Sequence, residues 1–508
     1  MIERLVSLCF NRRGIVALVF LFVALYGWYS WTQLPIEAYP DISDTNAQVI
    51  TQVPGLAAEE MEQQITIPLE REIIGIPGMH VMRSMSIFGL SLITVVFQDG
   101  IEDYWARQRL RERISGVELP YDAQPVLDPL TSPVGEIYRY TLESKTRDLR
   151  ELSELQFWKV IPRLKKVPGV IDVSNVGGLT TQFMLEFDPA RLTKYNISLA
   201  QITQAINANN ANAGGSIMDR GQQGFVVRGV GLIGGLEDLG NVVVTQKNGV
   251  PVLIKDLGQV KLGHRERRGI LGKDDNPDTI EGITLMLRGE NPSRTLKGVH
   301  EAVRDLHENI LPKDVKVIPL IDRTNLVGST VKTVGKTLLE GMILVTIVLL
   351  LFLGSPRAAL IVALTIPLSL LAAFVFMHHL KIPANLLSLG AIDFGILVDG
   401  AIVVLENILR KREEDESRTL TPRDVMTASL QVTRPMFFGM IVIITAYLPL
   451  FAFQRIEYKL FSPMAYAVGF ALLSALAVAL MLIPGLAYLV YRKPRRTFHN
   501  PLLERLLP

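Results

Sequence analysis

The stretch Asp393-Phe394-Gly395-Ile396-Leu397-Val398-Asp399-Gly400-Ala401, running on to Glu406-Asn407, sets three carboxylates inside an otherwise apolar segment of residues 386–408. A segment of that length spans a bilayer as a helix, which takes about 20 residues. An ionised acid near mid-bilayer costs roughly 2.5 to 3.5 kcal/mol on insertion scales, so such acids face protein or water and by default mark a proton or ion path. At about 100° per residue, Asp399 and Glu406 fall within about 20° of each other on one helix face, roughly 10.5 Å apart, whereas Asp393 lies about 120° round from Asp399. Asp399 is near the midplane. A buried carboxyl with a movable cationic partner can take up and release a proton near neutral pH, which makes Asp399 the expected proton carrier. Asp393 and Glu406 are expected to join the relay, against hydrogen bonding between helices for Asp393 and an interfacial role for Glu406. Gly390, Gly395 and Gly400 leave room for close helix approach.

Outward from this segment, five more apolar runs cover residues 14–31, 338–353, 358–377, 435–453 and 464–490, and the central one itself starts by residue 383. Six spans follow, none with a central Lys or Arg. Glu340, near the outer end of the second, reads either as a relay acid or as a side chain reaching into water. Arg12 and Arg13 precede the first span, Arg410, Lys411 and Arg412 follow the fourth, and Arg492, Lys493, Arg495 and Arg496 follow the sixth. By the positive-inside rule both termini are cytoplasmic, and the loop of residues 32–337 is on the opposite face, the periplasm in a bacterium. The first run exceeds a signal-peptide core and no small-residue cleavage site follows it, so it is read as a retained anchor.

Composition narrows the function. With 52 Lys plus Arg against 50 Asp plus Glu in 508 residues, neither a basic nucleic-acid-binding protein nor an acidic disordered chain fits, so no nucleic-acid partner is expected. A mean hydropathy of +0.29 requires lipid. Cys9 is the single cysteine, which excludes an internal disulfide. Gly229-Val230-Gly231-Leu232-Ile233-Gly234 fits a dinucleotide fingerprint but lacks the strand-to-helix context and ribose-binding acid. Residues 410–418 read as a solvated cytoplasmic loop. No nucleophile–base pattern supports an enzyme.

The long loop alternates strand-like stretches such as residues 93–97 with helical ones such as 104–114 and 149–164. Ile76-Pro77-Gly78-Met79, followed by a strand near residues 92–97, recurs 91 residues later as Val167-Pro168-Gly169-Val170, followed by a strand near residues 183–187. Two related α+β subdomains with ferredoxin-like βαβ packing are the economical reading. The Gly- and Asn-rich residues 207–240 predict turns and extended loops.

The fourth-span pattern of DFG, three residues, DGA, four residues, EN resembles the resistance-nodulation-division (RND) superfamily of efflux pumps, in its heavy-metal efflux branch of cobalt-zinc-cadmium type. Tyr39-Pro40-Asp41, Pro54-Gly55-Leu56, Glu62-Gln63-Gln64-Ile65-Thr66 and Ser132-Pro133-Val134-Gly135-Glu136-Ile137-Tyr138 support the resemblance. It covers essentially the whole chain, which matches only the first, N-terminal half of a family chain about twice as long. The implied fold class is an α-helical membrane protein of six transmembrane helices with a periplasmic α+β porter region of ferredoxin-like βαβ subdomains. The expected division is residues 1–35 for the cytoplasmic N-terminus and first span, 36–134 for the first porter subdomain, and 135–181 and 273–330 for the second. Residues 182–272 form a docking insertion, 331–491 the remaining spans and 492–508 a cytoplasmic tail.

The resemblance implies a homotrimeric inner-membrane pump driven by the proton gradient, completed by the C-terminal half, a periplasmic adaptor (membrane fusion) protein and an outer-membrane channel. Asp399 matches the family's central proton-carrying acid, Asp393 and Glu406 its two other acids, and Phe394, Gly395, Gly400 and Asn407 the rest of the motif. In the drug-efflux branch a second Asp stands where this chain has Gly400. The lysine that the family pairs with the acid lies in a tenth span beyond this chain, so the counter-cation must come from elsewhere, and this half alone should not pump.

Ligands for a metal cargo are sparse. Met79, Met82, Met85 and His80 cluster in sequence, and His264, His300, His307, His378 and His379 are scattered. The repeat aligns Met79 and Met82 with Val170 and Val173, which makes them packing positions. His378 and His379 read as interfacial. Glu136, at the junction of the two repeats where the family has its substrate cleft, is the candidate metal ligand, suited to Zn, Co or Cd rather than Cu(I); a surface salt bridge is its alternative. No resident cofactor is expected, the divalent ion being cargo. The expected function is proton/substrate antiport exporting divalent heavy-metal cations. Export of drugs or other small organic molecules, and a non-transporting half-length membrane assembly module, are the alternatives.

Overall fold

The computed structural model describes residues 2–37, 40–247, 249–267, 269–353, 355–413 and 420–492. Tyr39, residues 414–418 of the charged run, Lys493, Arg495, Arg496 and the tail after Arg492 lie outside the described residues. Among the described residues, six helical segments are long and apolar enough to cross a membrane.

The first span is α2 (Arg13–Gln33), preceded by α1 (Ile2–Asn11), a short amphipathic helix that buries Val6, Cys9 and Phe10 against the bundle. Helices α3 (Asp103–Ile114) and α4 (Pro292–Asp305) belong to the extramembrane region. The later spans are α5 (Thr324–Leu353), the pair α6 (Pro356–Ala363) and α7 (Thr365–His379), and the pair α8 (Leu386–Gly390) and α9 (Phe394–Glu413). Next come α10 (Pro422–Ala446), α11 (Arg455–Ala477) and α12 (Ile483–Tyr491), the last two forming one span. Helices α5, α10 and α11 start well before the apolar runs, because their first turns carry polar and charged residues outside the apolar stretch. The fourth span is not the single continuous helix that the apolar run predicts. It breaks at Ala391–Asp393, so Asp393 stands at the start of α9 rather than on its face.

Small residues let the bundle pack closely: Ala373 of α7, Ala401 of α9, Ala471 and Ala475 of α11 and Ala479 share one buried core. Helix α2 lies so near α7 that a Cβ on Gly27 would collide with the Leu371 carbonyl.

Two four-stranded antiparallel sheets stand on the bundle. The first takes β1 (Asn46–Gln52), β2 (Met79–Ile87), β3 (Leu90–Phe97) and β4 (Val126–Leu127) in the order β2-β3-β1-β4. Strand alternation puts Ala47, Val49, Ile93, Val95 and Phe97 on one face, where they meet Met61, Ile65, Leu69 and Ile73 of a crossover helix and Leu110 of α3. The second sheet uses β5 (Glu136–Glu143), β6 (Val170–Gly177), β11 (Ile280–Met286) and β12 (Lys316–Asp322) in the equivalent order β12-β5-β11-β6. With crossover helices between the first and second and between the third and fourth strands, both sheets have the ferredoxin-like arrangement.

One expected pairing is corrected. Residues 183–187 lie in β7 (Thr181–Phe187), which does not complete the second sheet but pairs with β10 (Gly258–His264) at the base of an insertion. The true counterpart of β3 is β11, paired to β6 from Ile280–Gly177 onward. Gly177 and Gly178, with φ of 73° and 76°, turn the chain out of the sheet at that point. The insertion projects a hairpin, β8 (Ala213–Arg220) and β9 (Gln223–Gly229), whose residues are all exposed. Residues 213–229 are thus paired strands within the stretch expected as loop.

Among the described residues, four helical segments carry a π turn: Glu62–Thr66, Gln156–Val160, Leu306–Ile310 and Val478–Leu482. Each closes with a bond from the fifth residue onward, made by Ile67, Ile161, Leu311 and Ile483. Every one of those four residues precedes a proline. A proline ring clashes with the carbonyl four residues back and disfavours helical geometry in the residue before it, and widening the ladder by one residue relieves both.

Gly27→Val is expected to keep the chain from accumulating folded in the membrane, since the obstacle is backbone and overpacking of this kind costs about 1–3 kcal/mol or more. Gly14→Val, with nothing within 4 Å of its added carbon, is expected to be tolerated. Quantifying detergent-soluble monodisperse protein for both variants checks this.

Candidate functional site: the acidic face of the fourth span

Helix α9 has two unlike faces. Leu397, Val398, Gly400, Ala401, Val404, Leu405 and Ile408 are buried, packed against α10, α11 and α12. Gly395, Asp399, Glu406 and Arg410 form an exposed stripe on the other side. Asp399 and Glu406 therefore share a face, as their spacing requires. Among the described residues neither makes an ion pair or a side-chain hydrogen bond.

The rest of the motif holds this helix in place. Asp393 caps it, its Oδ1 accepting the Gly395 N–H at 2.8 Å, and so satisfies one of the free donors of the first turn. The Phe394 ring fills the space over Gly341 of α5, where a Cβ would fall 2.5 Å from the ring. A Cβ on Gly400 would lie 3.1 Å from Met436 Sδ and 3.5 Å from the Ala479 methyl, so its small size serves the contact with α10 and the π turn after α11. Gly390 and Gly395 make no such helix contact. Asn407 donates to the Ala428 carbonyl at 2.7 Å and to Gln431 Oε1 at 3.2 Å, pinning α9 to α10.

Two charges on neighbouring spans are committed elsewhere. Glu340 pairs with Lys336 one turn earlier on α5 at 3.6 Å, with both side chains largely exposed. Arg434 lies within α10, a cation the apolar run alone did not include, and its Nε is 2.8 Å from Glu3 of α1.

Far from α9, Glu136 opens β5 and is 45% exposed. Its nearest cation is Arg139, at 3.9 Å, but that guanidinium is held by Glu281, with Nε–Oε1 at 2.7 Å and NH2–Oε2 at 3.0 Å; Glu281 is 1% exposed. The Glu281 carboxylate raises the Arg139 pKa above its ordinary value. Glu136 is thus not locked into a bidentate pair. Leu285 of β11 is the cross-strand partner of both Glu136 and Asp172, so the two carboxylates flank one position of the second sheet. Asp172 was not singled out in the sequence; the strand register sets it two strands from Glu136, about 10 Å away, and it pairs with Lys165 at 2.5 Å.

Apart from the neighbouring His378 and His379, whose ring centroids are 5.8 Å apart, the scattered histidines stay separate. His80 accepts from Arg455, His307 from the Val317 N–H, His300 meets Thr324 and Asp322, and His379 meets the Tyr26 hydroxyl. Met79 and Met82 pack against the first sheet's core, while Met85 is exposed. Among the described residues no group of three or more His, Cys, Asp or Glu is placed to hold a metal ion.

Comparison with known proteins gives this arrangement its context. The AcrB/AcrD/AcrF family model matches residues 5–505. The cation efflux system protein CzcA of Alcaligenes sp. (strain CT14) is 37% identical over 536 residues, covering 100% of this chain and 50% of that protein. The nickel and cobalt resistance protein CnrA of Cupriavidus metallidurans is 34% identical, covering 97% of this chain and 50% of its own length. A crystal structure of a heavy metal efflux pump, in its second crystal form, superposes with a TM-score of 0.88 at 75% identity over 99% of this chain and 50% of that one. This chain spans about half the length of the curated relatives it matches. With a family model that runs almost from end to end and the acidic fourth span in place, the chain belongs to the AcrB/AcrD/AcrF family of RND transporters.

Proposed function

We propose that this chain is half of a proton-driven exporter of divalent heavy-metal cations, in a bacterial inner membrane, with its sheets in the periplasm. The observation that carries the reading is the Asp399–Glu406 stripe on α9, two acids on the unpacked face of an otherwise buried helix. A carboxylate there must be met by protein or water, and a second half of the pump bringing a cation to that face would complete a proton site. Protonation of Asp399 would neutralise the stripe and favour a different packing of the spans, and loss of the proton inward would restore the first, giving alternating access. Glu406 is assigned to the proton path on the same stripe. Asp393 is assigned a positioning role through its cap, and Glu340, already paired with Lys336, a minor one at most.

Glu136 is proposed as a transient cargo ligand, with Asp172 across the intervening strand at Leu285. Carboxylate oxygen donors fit Zn, Co or Cd better than Cu(I). The names of the relatives, which speak of cation efflux and of nickel and cobalt resistance, support the same cargo class. The working assembly is proposed as a homotrimer in which the exposed hairpin β8–β9 reaches a neighbouring subunit, joined by a periplasmic adaptor and an outer-membrane channel.

Expressed with its native downstream coding sequence in an efflux-deficient bacterium, the protein is expected to raise zinc, cobalt or cadmium tolerance, and Asp399→Asn to return it to background at equal abundance. Resistance to organic compounds without metal tolerance would establish the drug-export alternative instead. Asp393→Asn, which preserves a capping oxygen, is expected to keep most of the tolerance, while Asp393→Ala loses the cap, about 1 kcal/mol, and lowers it. Full loss in Asp393→Asn would instead place that acid in the proton path. Glu136→Gln is expected to raise the metal concentration for half-maximal transport in vesicles while leaving the maximal rate nearly unchanged.

A further inference from the structure

The link that carries the chain from α2 into β1 is gripped from two sides at one atom. The Ser43 carbonyl accepts from Lys459 Nζ at 3.0 Å and from Arg288 NH2 at 2.6 Å. Lys459 sits in the second turn of α11 and also reaches Asp44 Oδ1 at 2.7 Å, with Asp99 at 3.7 Å. Arg288 stands just past β11 in the second sheet subdomain. Its Nε pairs with Asp41 at 3.2 Å, and its NH1 with Asp103 at 3.0 Å and the Asp44 carbonyl at 3.2 Å. Both side chains are mostly buried, 22% exposed for Lys459 and 17% for Arg288.

Asp99 ends the hairpin of β2 and β3 and Asp103 starts α3, so the cluster ties the first sheet subdomain to both neighbours. At the start of α11, the Arg455 N–H donates to Asp99 Oδ2 at 3.2 Å, and its guanidinium meets His80 of β2 at 2.7 Å. Arg455 holds a left-handed φ of 50°, a conformation that a non-glycine residue keeps only where surrounding contacts fix it. Three cations thus face four acids where one membrane helix and both sheet subdomains meet. Two cations on one carbonyl repel each other, and it is the surrounding carboxylates that hold both there. Helix α11 also packs along α9, the helix that carries Asp399.

We propose that Lys459 and Arg288, through their shared hold on Ser43, form the joint that passes movement of α11 to the first sheet subdomain and on to its seam with the second. They are positioning residues for transport: neither touches the proton site, and neither lies beside Glu136 in the sheet register. The inference rests on the proton-driven transport reading. It differs from a set of ordinary domain-closing ion pairs in one respect: the two cations act as a unit, so their removal is not additive.

The test uses the full pump, this chain with its native second half, reconstituted in vesicles with a pH gradient and zinc, reading zinc-stimulated proton movement against the zinc-free rate. Lys459→Met and Arg288→Met are each expected to lower the stimulation at least tenfold at unchanged abundance, and the double variant no further. Lys459→Arg, which keeps a donor cation, is expected to recover much of it, a rescue that general destabilisation would not give. Normal stimulation in either single variant overturns the joint, as does a double variant whose loss equals the product of the two single losses. Should a methionine variant fail to reach the membrane, Asp44→Asn takes its place: it removes one charge beside Lys459 and is expected to weaken the stimulation severalfold, and a wild-type value would overturn the proposal. A wild-type pump whose proton movement ignores zinc, cobalt and cadmium alike removes the transport reading itself, and the joint with it.

Discussion

Hydrocarbon offers a carboxylate nothing in place of its water, and the membrane half of this protein is arranged around that fact. Helix α9 buries one face against α10, α11 and α12 through Ala401, Leu405 and Ile408, while Asp399 and Glu406 occupy the opposite face. The packing on the apolar side is what makes the acidic side directional. Asn407 holding the Ala428 carbonyl, Gly400 seated against Met436, and Asp393 capping the first turn together fix the rotation of the helix, and with it where the two acids point. A helix free to turn about its axis could hide its acids among its neighbours; this one cannot.

Much of this was legible in the sequence because it is local or periodic. Six apolar runs gave six spans, and Ile76-Pro77-Gly78 with Val167-Pro168-Gly169 marked two related sheet subdomains. The 20° offset between Asp399 and Glu406 put them on one face without coordinates. What escaped is non-local. The second sheet's third strand lies beyond an insertion, so the nearest strand-like run, residues 183–187, was the natural but wrong partner for β6. Hydropathy also smoothed over the break at Ala391–Asp393, since the residues around it are apolar whether or not the helix continues. The cluster around Ser43 was invisible for a third reason: Arg288 and Lys459 are separated by 245 and 416 positions from the carbonyl they share, and nothing local distinguishes them from any other surface cation.

The distribution of charge separates the protein into zones with different work. On the basic side, Arg13 lies over the Tyr488 ring, Arg412 over the Tyr491 ring, and Arg434 against Glu3, so cations there are spent anchoring α1 and the helix ends. At the boundary with the sheets, cations and acids alternate in a dense, half-buried cluster that joins α11 to both sheet subdomains. Within the sheets, Arg139 is held by the buried Glu281 carboxylate, which leaves Glu136 comparatively free. On α9, Asp399 and Glu406 stand without an ion pair or side-chain hydrogen bond among the described residues.

The π turn at Val478–Leu482 has a consequence for the last span as a whole. One additional residue in the ladder advances everything after it by about 100° around the axis relative to an uninterrupted α-helix. Helices α11 and α12 therefore keep separate angular phases along a single crossing. The first presents its alanine-rich side to α7 and α9, and the second turns Gly485 and Tyr488 toward Arg13. Pro484 sets that offset: a single rod crosses the membrane with two independently chosen contact surfaces, and the change between them falls at Ala479, level with Gly400 and one residue from the acid.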